Sequence, residues 1–244
     1  MNSAERQARE RLRRYVALLK KDDELSEFLR VTSRRGEPFL FGGAARDVFF
    51  RGRQEVNDLD IFVSGALSEE DFSSLGPVRR NRFGGYKLIA GGYDIDIWEL
   101  ERSLAFKWSA TSFISVSNLL RTVCFTTDAI AISFNGYRLI KSKDFDWSCD
   151  TRTLGFVAPP MEFNALVATR IARISLKLGL DLSPAVANYF ENCVERFGSH
   201  AIVDAESRWG SKRFLTEIAV EEVRAKILFS MDRAFDALRM SSVR

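Results

Sequence analysis

The stretch "FLFGGAARDVFFRGRQEVNDLDIFVSG", Phe39 to Gly65, decides how this chain is read. "EPFLFGG" reads as an apolar strand stopped by paired glycines, "AARDVFFRG" as a short helix closed by Gly52, and "DLDIFVSG" as a strand with alternating faces. Residues two apart on a strand share a face, so Asp58 and Asp60 project together while Leu59 and Ile61 face the opposite layer. Two like charges this close repel unless a cation sits between them. A hard divalent ion with oxygen ligands, Mg²⁺ above all, relieves that repulsion and keeps positions open for phosphate oxygens. The glycines supply the complementary half. Without a Cβ the backbone at Gly42 and Gly43 approaches a triphosphate closely, and the first turn of the helix offers unpaired N–H donors. Arg46, one turn in, adds a charge-assisted bond to the same phosphates.

A phosphoryl-transfer site with two metals commonly wants a third carboxylate near the attacking hydroxyl. "YDIDIWEL" offers Asp94 and Asp96 on one shared face. Asp96 is the preferred candidate, being central between Ile95 and Ile97, whereas Asp94 lies nearer the Gly91-Gly92 turn; the choice between them stays open. Singly, an Asp-x-Asp is often a solvated strand edge and a Gly-Gly often a plain turn. Their order and spacing together carry the reading.

The rest of the chain sets the frame. With 244 residues, 46% of them hydrophobic and 28% charged, the composition fits one large domain or two small ones. No apolar run approaches the roughly 20 residues of a membrane helix, and "MNSAERQARERLRRYV" lacks a signal-peptide core, so a cytoplasmic location with no membrane partner is expected. Cys124, Cys149 and Cys193 are scattered and His200 is the only histidine, which argues against structural zinc. The net charge of +3 is mild, but basic residues cluster in "RERLRR" and "VRRNRFGGYK". These runs are read first as solvated faces and second as phosphate-tracking patches. Trp98, Trp108, Trp147 and Trp209 are read as core before base-stacking groups. Residues Glu101 to Ser117 lie where a substrate loop would sit.

The expected fold class is α+β. Helices occupy residues 1–35, a head of mixed β-sheet with helices occupies 36–157, and a helical neck and C-terminal domain occupies 158–244. "RFGGYKLIAGGYDIDIWEL" reads as two strands, "VCFTTDAIAISFNGYRLI" as a further strand-forming region, and "EFNALVATRIARISLKLGL" as a helix. Ser183-Pro184 starts a helix that ends at Gly198.

The combined pattern "GGAARD … DLDI" resembles the head of the polymerase-β-like nucleotidyltransferase superfamily, in particular its bacterial poly(A) polymerase and CCA-adding branch. "FTTDAIAI", Phe125 to Ile132, is similar to that branch's Phe-Thr-Ile-Asn-Ala segment, and "RIARISLKLGLDLSPAV", Arg170 to Val186, to the start of its helical neck. The resemblance implies that Asp58, Asp60 and Asp96 bind two catalytic Mg²⁺ ions. It implies that Gly42, Gly43 and Arg46 hold the triphosphate, and that Arg170 and Arg173 meet the nucleotide or the acceptor RNA. The branch's Arg-Arg-Asp before "FTTDA" is replaced by Thr122-Val123-Cys124. Its base-reading Asp-x-x-Arg pair falls on Asn164 and Val167. Valine donates none of arginine's hydrogen bonds, which weakens the expectation of protein-templated choice of C, then A.

The resulting expectation is a Mg²⁺-dependent transferase that moves an NMP from an NTP, ATP or CTP first, to a hydroxyl, releasing pyrophosphate. The acceptor expected first is an RNA 3′ end, that of a tRNA. Two alternatives stand beside it: transfer to a protein or small molecule in a toxin, resistance or antiphage role, and an inactive nucleotide- or RNA-binding module.

Overall fold

Leu12, Tyr15, Val16 and Leu19 recur at helical spacing, and Ser3–Leu19 forms helix α1 with these side chains buried. The computed structural model describes residues 3–52, 56–81, 84–103, 114–207 and 214–241, with side chains through residue 229. Asp22 then caps α2 (Asp23–Ser33), its carboxylate accepting from the Leu25 N–H at 2.9 Å. The chain divides into two compact units, Met1–Asp146 and Trp147–Arg244.

The first unit is built on seven strands: β1 Pro38–Phe41, β2 Asp58–Val63, β3 Arg79–Arg80, β4 Tyr86–Ala90, β5 Tyr93–Glu99, β6 Ile130–Ser133 and β7 Leu139–Lys141. Their order across the sheet is β3-β4-β5-β2-β1-β6-β7. Strand β2 runs antiparallel to β1 and parallel to β5, and every other neighbouring pair is antiparallel.

The period-2 pattern gives the sheet two different faces. Leu40, Leu59, Ile61, Leu88, Ile95 and Ile97 are buried on one side, which Phe28 of α2 reaches through Phe72 and Tyr86 in a chain of ring contacts. The other face carries Phe41, Phe62 and Trp98, with Phe41 and Phe62 in edge contact at 4.4 Å between centroids and Leu100 and Leu119 packed beside them. Buried Glu99 is satisfied by the Leu67 N–H at 2.9 Å and by Arg102 Nε at 2.9 Å.

The second unit is helical apart from one short parallel pair, β8 Thr153–Leu154 with β9 Asp181–Leu182. Its helices are Ala165–Leu178, Pro184–Ser207 and Glu217–Ser241. The expected stop at Gly198 is a break: the backbone there turns to φ 77°, ψ 156°, and helix resumes beyond it to Ser207.

Candidate functional site

The helix after the paired glycines, α3 (Gly42–Arg51), starts on the glycines themselves. Gly42 lies at φ +66°, a region costly to side-chain-bearing residues, and a Cβ there would stand 3.3 Å from Asp60 Oδ2. The turn therefore presses backbone against the second carboxylate of the Asp-x-Asp strand. Phe41, just before it, pairs in register with Asp60.

Across the parallel pair, Asp58 stands opposite Asp94 and Asp60 opposite Asp96. Register partners on neighbouring strands share a face, so four carboxylates form a block about 5 Å by about 7 Å. Asp58 is exposed, and Asp60, Asp94 and Asp96 are half-buried. Two groups from the β3–β4 side attend Asp96: Asn81 Nδ2 donates to its Oδ1 at 3.2 Å, and Lys87 Nζ lies 3.8 Å from its Oδ2. Lys87 is also 3.9 Å from Asp94 Oδ1. The Asn81 side chain is itself fixed by accepting from the Gly85 N–H at 3.0 Å.

The donor chemistry suits a hard cation: carboxylate oxygens on two adjacent strands, beside a turn with no Cβ. Among the described residues no three His, Cys, Asp or Glu side chains converge in the manner of a metal centre. Asp58 and Asp60 fit as a ligand pair, while Asp96 is turned to Asn81 and Lys87.

Arg46 is nearly buried, and its charge is matched within the first unit. Nε donates to Asp47 Oδ1 at 2.8 Å and Nη1 to Asp128 Oδ1 at 2.6 Å. Burial opposes its charged form, but the charges of Asp128 and then Asp47 outweigh burial and raise its pKa. Asp128 sits at the Asn position of the Phe-Thr-Ile-Asn-Ala resemblance, so this chain has a carboxylate where that segment has an amide. The remaining nitrogen, Nη2, lies beside the glycines, 3.6 Å from where a Gly43 Cβ would stand.

The other three candidate residues belong to the second unit. Asn164 caps Ala165–Leu178, its Oδ1 accepting from the Leu166 N–H at 2.8 Å, and its own N–H donates to Tyr189 Oη at 2.9 Å. Arg170 is half-buried on the same helix. Arg173 lies 3.0 Å from Glu206, whose fully buried carboxylate also accepts from the N–H groups of Phe214 and Leu215 at 2.8 and 2.7 Å. Arg173 is thus tied into the packing of its unit.

Asn81, Lys87 and Asp128 are site residues that the sequence reading did not single out. Asn81 and Lys87 lay inside "VRRNRFGGYK", taken only as a basic run, and the register that turns Lys87 toward Asp96 is not a sequence signal. Trp108 and Trp209 lie outside the described residues, as does most of the Glu101–Ser117 stretch.

No protein-family model matches the chain, and no curated protein matches it. Solved structures do. A tRNA nucleotidyltransferase complexed with a primer tRNA and an incoming ATP analog superposes with a TM-score of 0.55 at 19% identity, covering 79% of this chain and 58% of that one. A CCA-adding enzyme with CTP gives 0.56 at 19%, covering 87% and 53%. The Thermotoga maritima CCA-adding enzyme complexed with tRNA gives 0.52 at 15%, covering 78% and 46%. The chain spans about half the length of these neighbours. Its fold is a nucleotidyltransferase fold, related to that of the tRNA nucleotidyltransferases and CCA-adding enzymes.

Proposed function

We propose that the chain transfers a nucleoside monophosphate from an NTP to a hydroxyl, releasing pyrophosphate, with a tRNA-like RNA 3′ end as acceptor. The observation that carries this reading is the register of Asp58 and Asp60 against Asp94 and Asp96, with the Gly42 turn so near that a Cβ built on it would stand 3.3 Å from Asp60 Oδ2. The neighbours support the substrates, since they were solved with tRNA, ATP, an ATP analog or CTP.

On this reading Asp58, Asp60 and Asp96 hold Mg²⁺, which when bound lowers the pKa of the attacking hydroxyl and stabilises charge on the leaving pyrophosphate. The chain's own groups do the rest. Backbone N–H groups at Gly42 and Gly43 and the first turn of α3 receive the triphosphate, and Arg46 Nη2 is placed to donate to it. Asn81 donates to Asp96, which must turn from it to reach a metal on the Asp58–Asp60 pair, and Lys87 offsets the charge that Asp94 adds beside it.

The test is nucleotide incorporation by single variants. Asp58→Asn, Asp60→Asn and Asp96→Asn each lower transfer by at least about a hundredfold, a loss of several kcal/mol of charge stabilisation, while circular dichroism stays native. Asp94→Asn has a smaller effect. Wild-type rates in the Asp58 or Asp60 variant would reject the assignment; label passing to protein or a small molecule instead of RNA would replace the acceptor.

A further inference from the structure

The arginines of α1 do more than solvate a helix. Arg6, Arg9 and Arg13 are exposed on one face, and Lys20, half-buried, lies on the same face one residue past the helix end. At 1.5 Å per residue the row runs about 21 Å. The buried stripe of α1, with Leu12, Val16 and Leu19 in the core, lies beside the row, roughly a quarter-turn around the helix. The helix's acids offset the row only in part: Glu5, four residues before Arg9, feels the charge of that arginine as well as that of Lys141. Glu5 is drawn to Lys141, whose hydrogen bond is the main cause lowering its pKa, and Glu10 pairs with Arg14 at 3.1 Å. Arg11 turns the other way, donating to the Phe49 carbonyl at 2.7 Å.

An aromatic group is set into the row. Tyr137, in the β6–β7 turn, adopts φ +52°, a conformation uncommon for a residue with a side chain. Its ring lies 5.8 Å from Arg13 and 5.5 Å from Lys20, and Lys20 Nζ also donates to the Phe134 carbonyl at 3.3 Å. A stripe of cations interleaved with a half-exposed ring matches a polyanion carrying stacked bases better than it matches water.

We infer that this stripe, Arg6, Arg9, Arg13 and Lys20 with Tyr137, is an RNA-backbone contact that grips the acceptor away from its 3′ end. The inference rests on the proposed RNA acceptor for its biological sense, but the surface is separate from the carboxylate block. Arg11 reaches α3 at Phe49, seven residues from Gly42, which places this part of α1 about 10 Å along α3 from the glycine turn. That separation puts the stripe upstream of the 3′-terminal nucleotide, where the body of a folded RNA would lie along it.

The experiment uses the full chain and a fluorescein-labelled hairpin RNA with a single-stranded 3′ end, titrated at several salt concentrations by anisotropy. The triple variant Arg6→Ser, Arg9→Ser, Arg13→Ser is expected to bind at least about tenfold more weakly. Its log–log salt slope should flatten by about 2, the loss of three phosphate contacts. The charge-preserving Arg→Lys triple variant should keep the wild-type slope, and the Asp60→Asn variant should bind like wild type. Incorporation into the hairpin should fall in the Ser triple variant, by a larger factor than incorporation into a dinucleotide acceptor. Unchanged affinity and slope in the Ser triple variant overturn the inference and leave the transferase reading standing. So does loss of binding only to phosphatidylserine vesicles, which would make the stripe a membrane surface. Stripe-dependent RNA binding by a wild-type chain that incorporates no nucleotide has the reverse meaning: the inference holds and the transferase reading fails.

Discussion

Gly42 is where backbone conformation and chemistry meet most closely. Gly42→Ala puts a side chain at φ +66° and a methyl 3.3 Å from Asp60 Oδ2. The strain is about 1 to 2 kcal/mol, so a thermal melt should fall by several degrees. Transfer should fall by a larger factor than the stability loss explains, because the displaced group is Asp60 itself. Equal losses in melting and in rate would make Gly42 merely structural. Arg46 invites a different measurement. With a nearly buried guanidinium bonded to Asp47 and Asp128, Asp128→Ala leaves a buried charge short of a partner and should cost about 3 to 5 kcal/mol in denaturant unfolding. The Arg46→Leu, Asp128→Ala double variant should cost less than the two single changes added together, by more than about 1 kcal/mol. Strict additivity would mean the ion pair does not couple α3 to the Thr126–Asp128 turn.

Elements explain both what the sequence disclosed and what it withheld. The Asp58, Asp60 alternation, the Gly91-Gly92 hairpin and the apolar spacing of α1 are local patterns, each decided within a few residues, and each formed as read. The pairing of β2 with β5 brings residues 36 apart into register, and the Arg46 to Asp128 contact spans 82. No periodicity encodes such pairings; sheet order does. The same applies to Asp94 and Asp96, which share a face and differ in surroundings, since Asn81 donates to Asp96. In the second unit, the helix Ala165–Leu178 was legible from its spacing, whereas the Asn164 cap and the tie from Arg173 to buried Glu206 were not singled out. Glu206 receives two backbone N–H groups where the chain enters the helix Glu217–Ser241, so Glu206→Ala orphans both. The expected cost is about 2 to 4 kcal/mol, read as a lower melting temperature. A melt unchanged within a degree would show that those groups find other partners.

At the scale of the whole molecule, a fold shared with a tRNA nucleotidyltransferase and CCA-adding enzymes at 15 to 19% identity keeps the architecture while the side chains differ. Among the described residues no helix is long and apolar enough to cross a membrane. The part of the molecule that argues for chemistry is small: two strands, one glycine turn and four carboxylates in register. If that block transfers nucleotides, activity depends on Asp58 whatever the acceptor is. The decisive measurement is incorporation of each of the four α-labelled NTPs, with Mg²⁺, into a total small-RNA pool by the wild-type chain beside Asp58→Asn. The account predicts labelled RNA with the wild type, one or two nucleotides preferred, and none with the variant. Equal labelling by both proteins, or no label on any acceptor with the wild type, would contradict it.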